Sequence, residues 1–323
     1  MRKIRPRGVA LAVLVALLSI VVGLPALAGS ALRVGKADAN ASAILPVNVA
    51  DKLGLFKKHG LDVTISDFTG GSKLSQAMVA GSIDIGVGAG TEMAFVAKGA
   101  PIIAVCNDAP SIPFIGIAVP WDSPIHSVDQ LKGKKIGISS AGSLTDWLAR
   151  ELAHHEGWGS DGVERVAIGN GAAAILAAFH TNAIDADIAV TSNIFNWEEK
   201  KEGRLLIPVS SYVGNIAAGT IYATQHLIGT DPDALRDFLA AWLDTIDFIS
   251  KHKAETVKIQ SEVTGYSESV IAREYDITKT MFSRDCKFDA DSLANLKRAF
   301  IEQKLVESPP DMSKLYTEAF LPK

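Results

Sequence analysis

Short apolar runs alternate along this chain with stretches in which apolar residues return every three or four positions. Leu32-Arg33-Val34-Gly35, Leu61 to Phe68, Ile83 to Val87 and Ile102 to Val105 have the length and content of strands. Ala43 to Lys58 carries Ile44, Val47, Leu55 and Phe56 for one helix face, and His59-Gly60 supplies a stop. Ser72 is placed to cap a helix ending at Ala80-Gly81, and a short helix is predicted from Thr91 to Lys98. Phe114 to Val119 reads as a strand that crosses to a second part. There Lys134 to Ser139, Val163 to Ile168 and Ile184 to Val190 read as strands, and Leu144 to His155 and Ala172 to His180 as helices. Ser143 with Asp146 three residues on makes a capping box. Thr220 to Ala223 reads as a return crossing. After it, Asp231-Pro232 opens a helix whose Leu235, Phe238, Leu239, Trp242, Leu243, Ile246 and Ile249 form a core stripe. Weaker helical patterns follow at Ser267 to Ser283 and Asp291 to Gln303. Strands alternating with helices predict α/β layers.

The pattern is written twice. Gly35 in the first strand returns about 102 positions later as Gly137 in Lys135-Ile136-Gly137-Ile138. At a similar offset, Leu61 to Ile65 is echoed by Val163 to Ile168, and Ala80 to Ile85 by Thr181 to Ala186. Three matches in order predict two similar lobes. Two lobes leave a cleft, and clefts between domains are where small ligands bind.

The amino terminus has a separate character. Arg2, Lys3, Arg5 and Arg7 precede an uncharged apolar stretch from Val9 to Val22, and Pro25-Ala26-Leu27-Ala28 ends in an A-x-A pattern. Residues 1–28 read as a signal peptide cleaved near Ala28. The expected product is secreted to the periplasm. The net charge of −4 becomes −8 without the four positive residues of that segment. An acidic chain argues against a nucleic-acid partner. Cys106 and Cys286 form no motif, so either an export-permitted disulfide or two buried thiols fits. The seven histidines are scattered, there is no C-x-x-C or H-E-x-x-H, and neither a metal nor a cofactor is expected.

Candidate chemistry lies in Gly- and Ser-rich loops where strands hand over to helices. These are Asp38 to Ser42, Gly70 to Ser72, Gly88 to Thr91, Ser139 to Ser143, and Gly169 to Ala172. Helix N-termini, hydroxyls and close backbone approach can hold a small anionic group without Lys or Arg. Each Ser can also be a simple helix cap. Gly169-Asn170-Gly171-Ala172-Ala173-Ala174 matches a dinucleotide fingerprint, but Asp185 and Asp187 follow too soon for the ribose acid. Asp38, Glu92 and Asp108 are candidates to hold an amine or hydroxyl, or are surface carboxylates. Tyr212, Trp197, Phe114 and Trp121 are candidates for an apolar wall, or core packing. No nucleophile–base order is visible.

Several runs resemble the periplasmic substrate-binding proteins of ABC transporters. They are Ala50-Asp51-Lys52-Leu53-Gly54-Leu55-Phe56-Lys57-Lys58-His59-Gly60-Leu61-Asp62-Val63, Ala77 to Gly86, Lys98 to Ile102, and Val128 to Gly137. The similar branch is that of the sulfonate, taurine and nitrate binders with the NMT1/THI5-like group. The resemblance covers most of the chain after residue 28. It implies a type II periplasmic-binding fold with two α/β lobes, two crossing strands and a central cleft. One lobe would combine residues 29–115 and 222–323, the other 116–221. It implies an extracytoplasmic receptor for a small organic anion, an aliphatic sulfonate or taurine, and a membrane permease as partner. A monomer without catalysis is expected. Loops matching Gly70 to Ser72, Thr91 and Ser140 to Ser143 would hold the anion. The candidate ligand-binding set is Asn40, Gly71, Ser72, Thr91, Glu92, Ser111, Ser140, Ser143, Asn170, Asn193 and Tyr212. The alternatives are a binder of a pyrimidine or aromatic compound, an enzyme on the same fold, and a chemosensory adaptor. The Cys-rich motif of the thiamine-pyrimidine enzymes is missing.

Overall fold

A computed structural model describes residues 29–159 and 161–322, and the segment read as a signal peptide lies outside them. The first part runs β1 (Ser30–Lys36), α1 (Pro46–Lys52), α2 (Leu55–Lys58), β2 (Leu61–Asp67), α3 (Gly71–Val79), β3 (Ile85–Gly88), α4 (Met93–Ala97) and β4 (Ile102–Ala109). The second runs β5 (Ile115–Pro120), β6 (Lys135–Ile138), α5 (Leu144–His155), β7 (Glu164–Ala167), α6 (Ala172–His180), β8 (Ala186–Val190), α7 (Thr191–Lys200) and β9 (Gly203–Pro208). The chain then returns through β10 (Gly219–Thr224). It ends in α8 (Gln225–Thr230), α9 (Pro232–Lys251), α10 (Lys253–Thr264), α11 (Glu268–Thr278) and α12 (Ala290–Glu302).

Two five-stranded sheets result, ordered β2-β1-β3-β10-β4 and β7-β6-β8-β5-β9. Ile115 opens a strand of the second sheet, and Gly219 opens one of the first. In each sheet four strands share one direction, and the strand that arrives from the other lobe, β10 or β5, runs antiparallel to them. The written repeat is a structural one. Val34 pairs with Ile85 in one lobe and Ile136 with Ala186 in the other. Arg33 N donates to Asp84 Oδ2 at 2.9 Å, and Lys135 N to Asp185 Oδ2 at 2.9 Å. The two Ile-Asp pairs therefore mark one recurring bend before the third strand.

The crossings are irregular segments rather than continuous strands. Residues 110–114 and 209–218 run side by side, with Ala218 N donating to Ala109 O at 2.8 Å and Ile216 N to Pro110 O at 3.0 Å. The expected 43–58 helix is broken. Gly54 at φ 67° separates α1 from α2, a conformation that favours glycine. Ser72 does not cap α3: Gly70, at φ 119°, occupies the N-cap, and Ser72 Oγ donates to Ala141 O at 3.2 Å. The expected Ser143 cap forms, with Asp146 N donating to its Oγ. So does that of Asp231 on α9.

The α9 stripe is core. Leu235, Phe238, Leu239, Trp242, Ile246 and Ile249 are buried, and Phe238 stacks on Phe56 at 5.3 Å. Cys106 on β4 and Cys286, before α12, form a disulfide, so the alternative of two thiols falls away. Among the described residues, no helix is long and apolar enough to cross a membrane.

Candidate ligand-binding site

A cavity of about 80 Å³ lies between the lobes, beyond the carboxyl ends of the parallel strands. That is room for several waters or a small organic molecule, at ~10–15 Å³ per water. The first lobe contributes Ala37, Asp38, Ile44, Gly70, Gly71, Gly88 and Glu92, and the second Ser139, Ser143, Thr145, Asn170, Ile188 and Asn193. The amino ends of α3, α5, α6 and α7 all converge there, so positive dipole ends face it. Most of the remaining lining is apolar, including Phe114, Ile115, Leu144, Ile175 and Val190.

The second-lobe wall carries a triangle of hydroxyls. Ser139 Oγ, Ser143 Oγ and Thr145 Oγ1 lie 3.0 Å from one another. Ser143 is fixed there because its Oγ also caps α5. Thr145 accepts from Ser139 N at 2.8 Å. The hydroxyl protons can turn toward an oxyanion in the cavity.

The first-lobe wall carries two carboxyls. Asp38 is half-buried and accepts from Asn40 N at 2.7 Å, Ala41 N at 3.0 Å and Asn170 Nδ2 at 2.6 Å. Burial pushes its pKa up against these donors. Glu92 is 5% exposed, and Thr91 Oγ1 donates to its Oε2 at 2.9 Å. Burial raises Glu92 to about 7, although the Thr91 hydroxyl and backbone N–H groups favour its charged form. The lining contains no Lys, Arg or His.

Direct hydrogen bonds across the rim hold the lobes together around the cavity. Asn170 Nδ2 bonds Ala37 O at 3.0 Å in addition to Asp38. Asn40 Nδ2 and Tyr266 OH both donate to Asn193 Oδ1, at 3.2 and 2.7 Å. Glu274 on α11 accepts from Ser42 Oγ on one side and from Thr191 Oγ1, at 2.5 Å, on the other. Burial raises Glu274 to about 7. Farther out, Arg298 on α12 pairs with Glu151 on α5 at 2.8 Å, and Arg273 on α11 with Glu198 on α7 at 2.6 Å.

The structure thus brings Gly71, Glu92, Ser143, Asn170 and Asn193 together in the lining. Asn40 and Ser72 sit at the rim, in bonds between the lobes. Thr91 is buried and reaches the cavity only through Glu92. The Ser140 hydroxyl is buried beside Gly70 without a partner. Ser111 lies in a crossing segment outside the lining. Tyr212 packs on α5 near His155, its hydroxyl 3.5 Å from Leu148 O. Sequence reasoning missed Ser139 and Thr145 as a pair, because only the fold of the 139–145 loop brings their hydroxyls to Ser143. Among the described residues no group of three or more His, Cys, Asp or Glu is placed to hold a metal ion.

The family described as NMT1/THI5 like matches residues 41–256, two thirds of the chain. The chain belongs to this family. A Brucella abortus protein named for binding is 24% identical over 277 residues, covering 83% of this chain and 84% of that one. A Saccharomyces cerevisiae 4-amino-5-hydroxymethyl-2-methylpyrimidine phosphate synthase is 26% identical over 296 residues, covering 86% of this chain and 84% of that one. The alkanesulfonate-binding protein of Xanthomonas axonopodis pv. citri, solved with MOPS bound, superposes with a TM-score of 0.77. It is 19% identical, over 89% of this chain and 98% of that one. This NMT1/THI5-like chain has the periplasmic-binding-protein fold that the resemblance implied, with the two lobes expected from its repeat. One of these relatives is named for binding and another as a synthase, so their names leave the activity to the pocket.

Gly71 gives a direct test of the pocket's construction. A Cβ there would fall 1.5 Å from Glu92 Oε1. Gly71→Ala is expected to displace the Glu92 carboxyl and abolish binding of any ligand found for the pocket, measured by calorimetry. The overall fold, read by circular dichroism, stays.

Proposed function

We propose that this protein is the solute-binding receptor of an ABC import system, working outside the cytoplasm and delivering its ligand to a membrane permease. It acts as a monomer and performs no chemistry on the ligand. The ligand is a small amphoteric organic molecule. The observation that carries this reading is the division of the pocket. Acceptors, Asp38 and Glu92, stand on one wall, and the Ser139–Ser143–Thr145 hydroxyls at the start of α5 stand on the other. An aminosulfonate of the taurine class meets both: its oxyanion end takes the hydroxyls and N–H groups, and its ammonium end takes the carboxyls. The solved alkanesulfonate-binding protein supports a sulfonate on this fold.

A second reading has its own support. The lining is largely apolar, and an aminopyrimidine ring would fill it with fewer unpaired charges than a sulfonate would. The yeast relative acts in pyrimidine synthesis by its name. A synthase would need an attacking group beside an acid–base one; Glu92, raised to about 7, can change protonation, but the lining offers no His, Lys or Cys to act with it.

Calorimetric titration of the purified protein with taurine, ethanesulfonate and 4-amino-2-methylpyrimidine separates these readings. Taurine is expected to bind without turnover, and Ser143→Ala to weaken it about tenfold, the cost of one hydrogen bond to a charged group. Binding of the pyrimidine alone would sink the aminosulfonate assignment. Conversion of any of the three to product would sink the receptor reading.

A further inference from the structure

Glu92 is built into the pocket wall with unusual care. Two glycines make its space: a Cβ on Gly71 would fall 1.5 Å from its Oε1, and one on Gly88 would fall 2.8 Å away. Its immediate partners are the Thr91 hydroxyl and backbone N–H groups of Ala89 and Glu92, with no cation among them. A buried carboxylate is costly without an opposite charge. Asp38, the other acid of the lining, has three protein donors and also a cation, Lys36, near enough to favour its charged form. Glu92 is therefore the acid whose counter-charge is left to the cavity.

We propose that Glu92 is the specificity-determining carboxylate of this pocket and selects ligands that carry a protonated amine or amidine. The inference rests on the receptor reading of the same cavity and adds the chemistry of one ligand end. The ligand's N–H⁺ group supplies the cation that the protein omits. An uncharged or purely anionic ligand gains nothing from Glu92 and must bury it as the neutral acid.

The titratable groups facing Glu92 come from three elements. Tyr222 on β10 lies behind it, with its hydroxyl donating to Ala89 O at 2.6 Å. Asp108 on β4 lies beyond, with neither carboxyl oxygen partnered. Asp38 stands on the loop after β1. α3 and β3 face Glu92 with Gly71 and Gly88. Neither Tyr222 nor Asp108 can supply a positive charge, and burial favours their neutral forms, so neither adds a negative one beside Glu92. With Glu92 raised to about 7, a cationic ligand selects its ionised form. Binding of an ammonium that stays protonated above pH 7 then releases a proton below that pH and tightens as pH rises through it.

The test uses matched probes on the purified protein. Taurine is compared with ethanesulfonate, and 4-amino-2-methylpyrimidine with 2-methylpyrimidine, by calorimetry at pH 6 and pH 8. Taurine at pH 8, and the aminopyrimidine at pH 6, where its ring nitrogen can carry the proton, are each expected to bind at least tenfold more tightly than the amine-free partner. That preference is expected to vanish in Glu92→Gln. Equal affinity within both pairs, or a preference that survives Glu92→Gln, overturns the inference. Binding by amine-free probes alone overturns it and leaves the receptor reading standing. Failure of all four probes counts against both readings. Should Glu92→Gln fail to fold, the unaltered protein decides: taurine's binding heat at pH 6 must vary with the ionisation enthalpy of the buffer, and a buffer-independent heat overturns the inference.

Discussion

Replacing Cys106 and Cys286 together by alanine is expected to lower the thermal midpoint by about 10 °C. The bond closes a loop with a sequence separation of 180 residues. Cross-linking so long a loop removes chain entropy from the unfolded state worth about 5 kcal/mol, and a protein of this size loses roughly 2 °C per kcal/mol. The folded state also loses an anchor, since Cys106 faces Ile221 of the returning strand and Cys286 O accepts from Asn107 N at 2.9 Å. Differential scanning calorimetry of the double variant checks this, and reductant on the unaltered protein should reproduce it. A midpoint unchanged by either treatment would rule out a stabilising disulfide.

A second large effect concerns buried acids that serve no ligand. Asp187 lies on β8 with its carboxyl against Gly137 on the neighbouring strand, and its Oδ1 has no partner. Burial raises its pKa well above the ordinary 3.8. A raised pKa means that folding takes up a proton. The contribution of Asp187 to stability is therefore intact below pH 3.8 and declines as pH climbs toward the folded value. The decline is about 1.4 kcal/mol per pH unit in that window. Asp187→Asn keeps the shape and removes the proton linkage. The variant is expected to match the wild type near pH 4 and to exceed it increasingly at higher pH, measured by urea unfolding at several pH values. Parallel stability curves for the two proteins would show that Asp187 is ionised in the fold. Asp108, buried on β4 with both oxygens unpaired, adds a decline of the same sign.

The repeat was the most legible feature of the chain, because it is carried by backbone needs. Gly35 and Gly137 sit where a neighbouring side chain, Leu74 in one lobe and Asp187 in the other, would collide with a Cβ. Asp84 and Asp185 tie back to the first strand of each lobe. Such local requirements repeat with the fold and can be read from spacing. α7 was invisible for the opposite reason. Its first turn, Thr191-Ser192-Asn193, has the polarity of a loop, yet all three residues are buried because they bond across to the other lobe. α10 hid similarly, burying only Thr256, Val257, Ile259 and Gln260 on an otherwise polar helix.

The pocket was half legible. Strand-end loops with Gly and Ser located its walls, since helix N-termini there need such residues. Which side chains face inward was not legible, because it depends on the meeting of loops far apart in sequence. Asn170 illustrates this: it was expected to bind ligand from its Gly-rich loop, whereas its amide spans to Asp38 and Ala37 at the cavity. Tyr212 is the converse, an aromatic near the cleft in sequence that the fold turns onto α5.

The placement of β10 has a consequence for how the molecule is assembled as it is made. All five strands of the second sheet come from one unbroken stretch, Ile115–Pro208. The first sheet has β10 in its interior, between β3 and β4, and β10 begins only at Gly219. Emerging from its amino end, the chain thus completes its second lobe while the first is still missing an inner strand. The half that is encoded first is finished last, and its unpaired β3 and β4 edges must wait through the synthesis of more than a hundred residues.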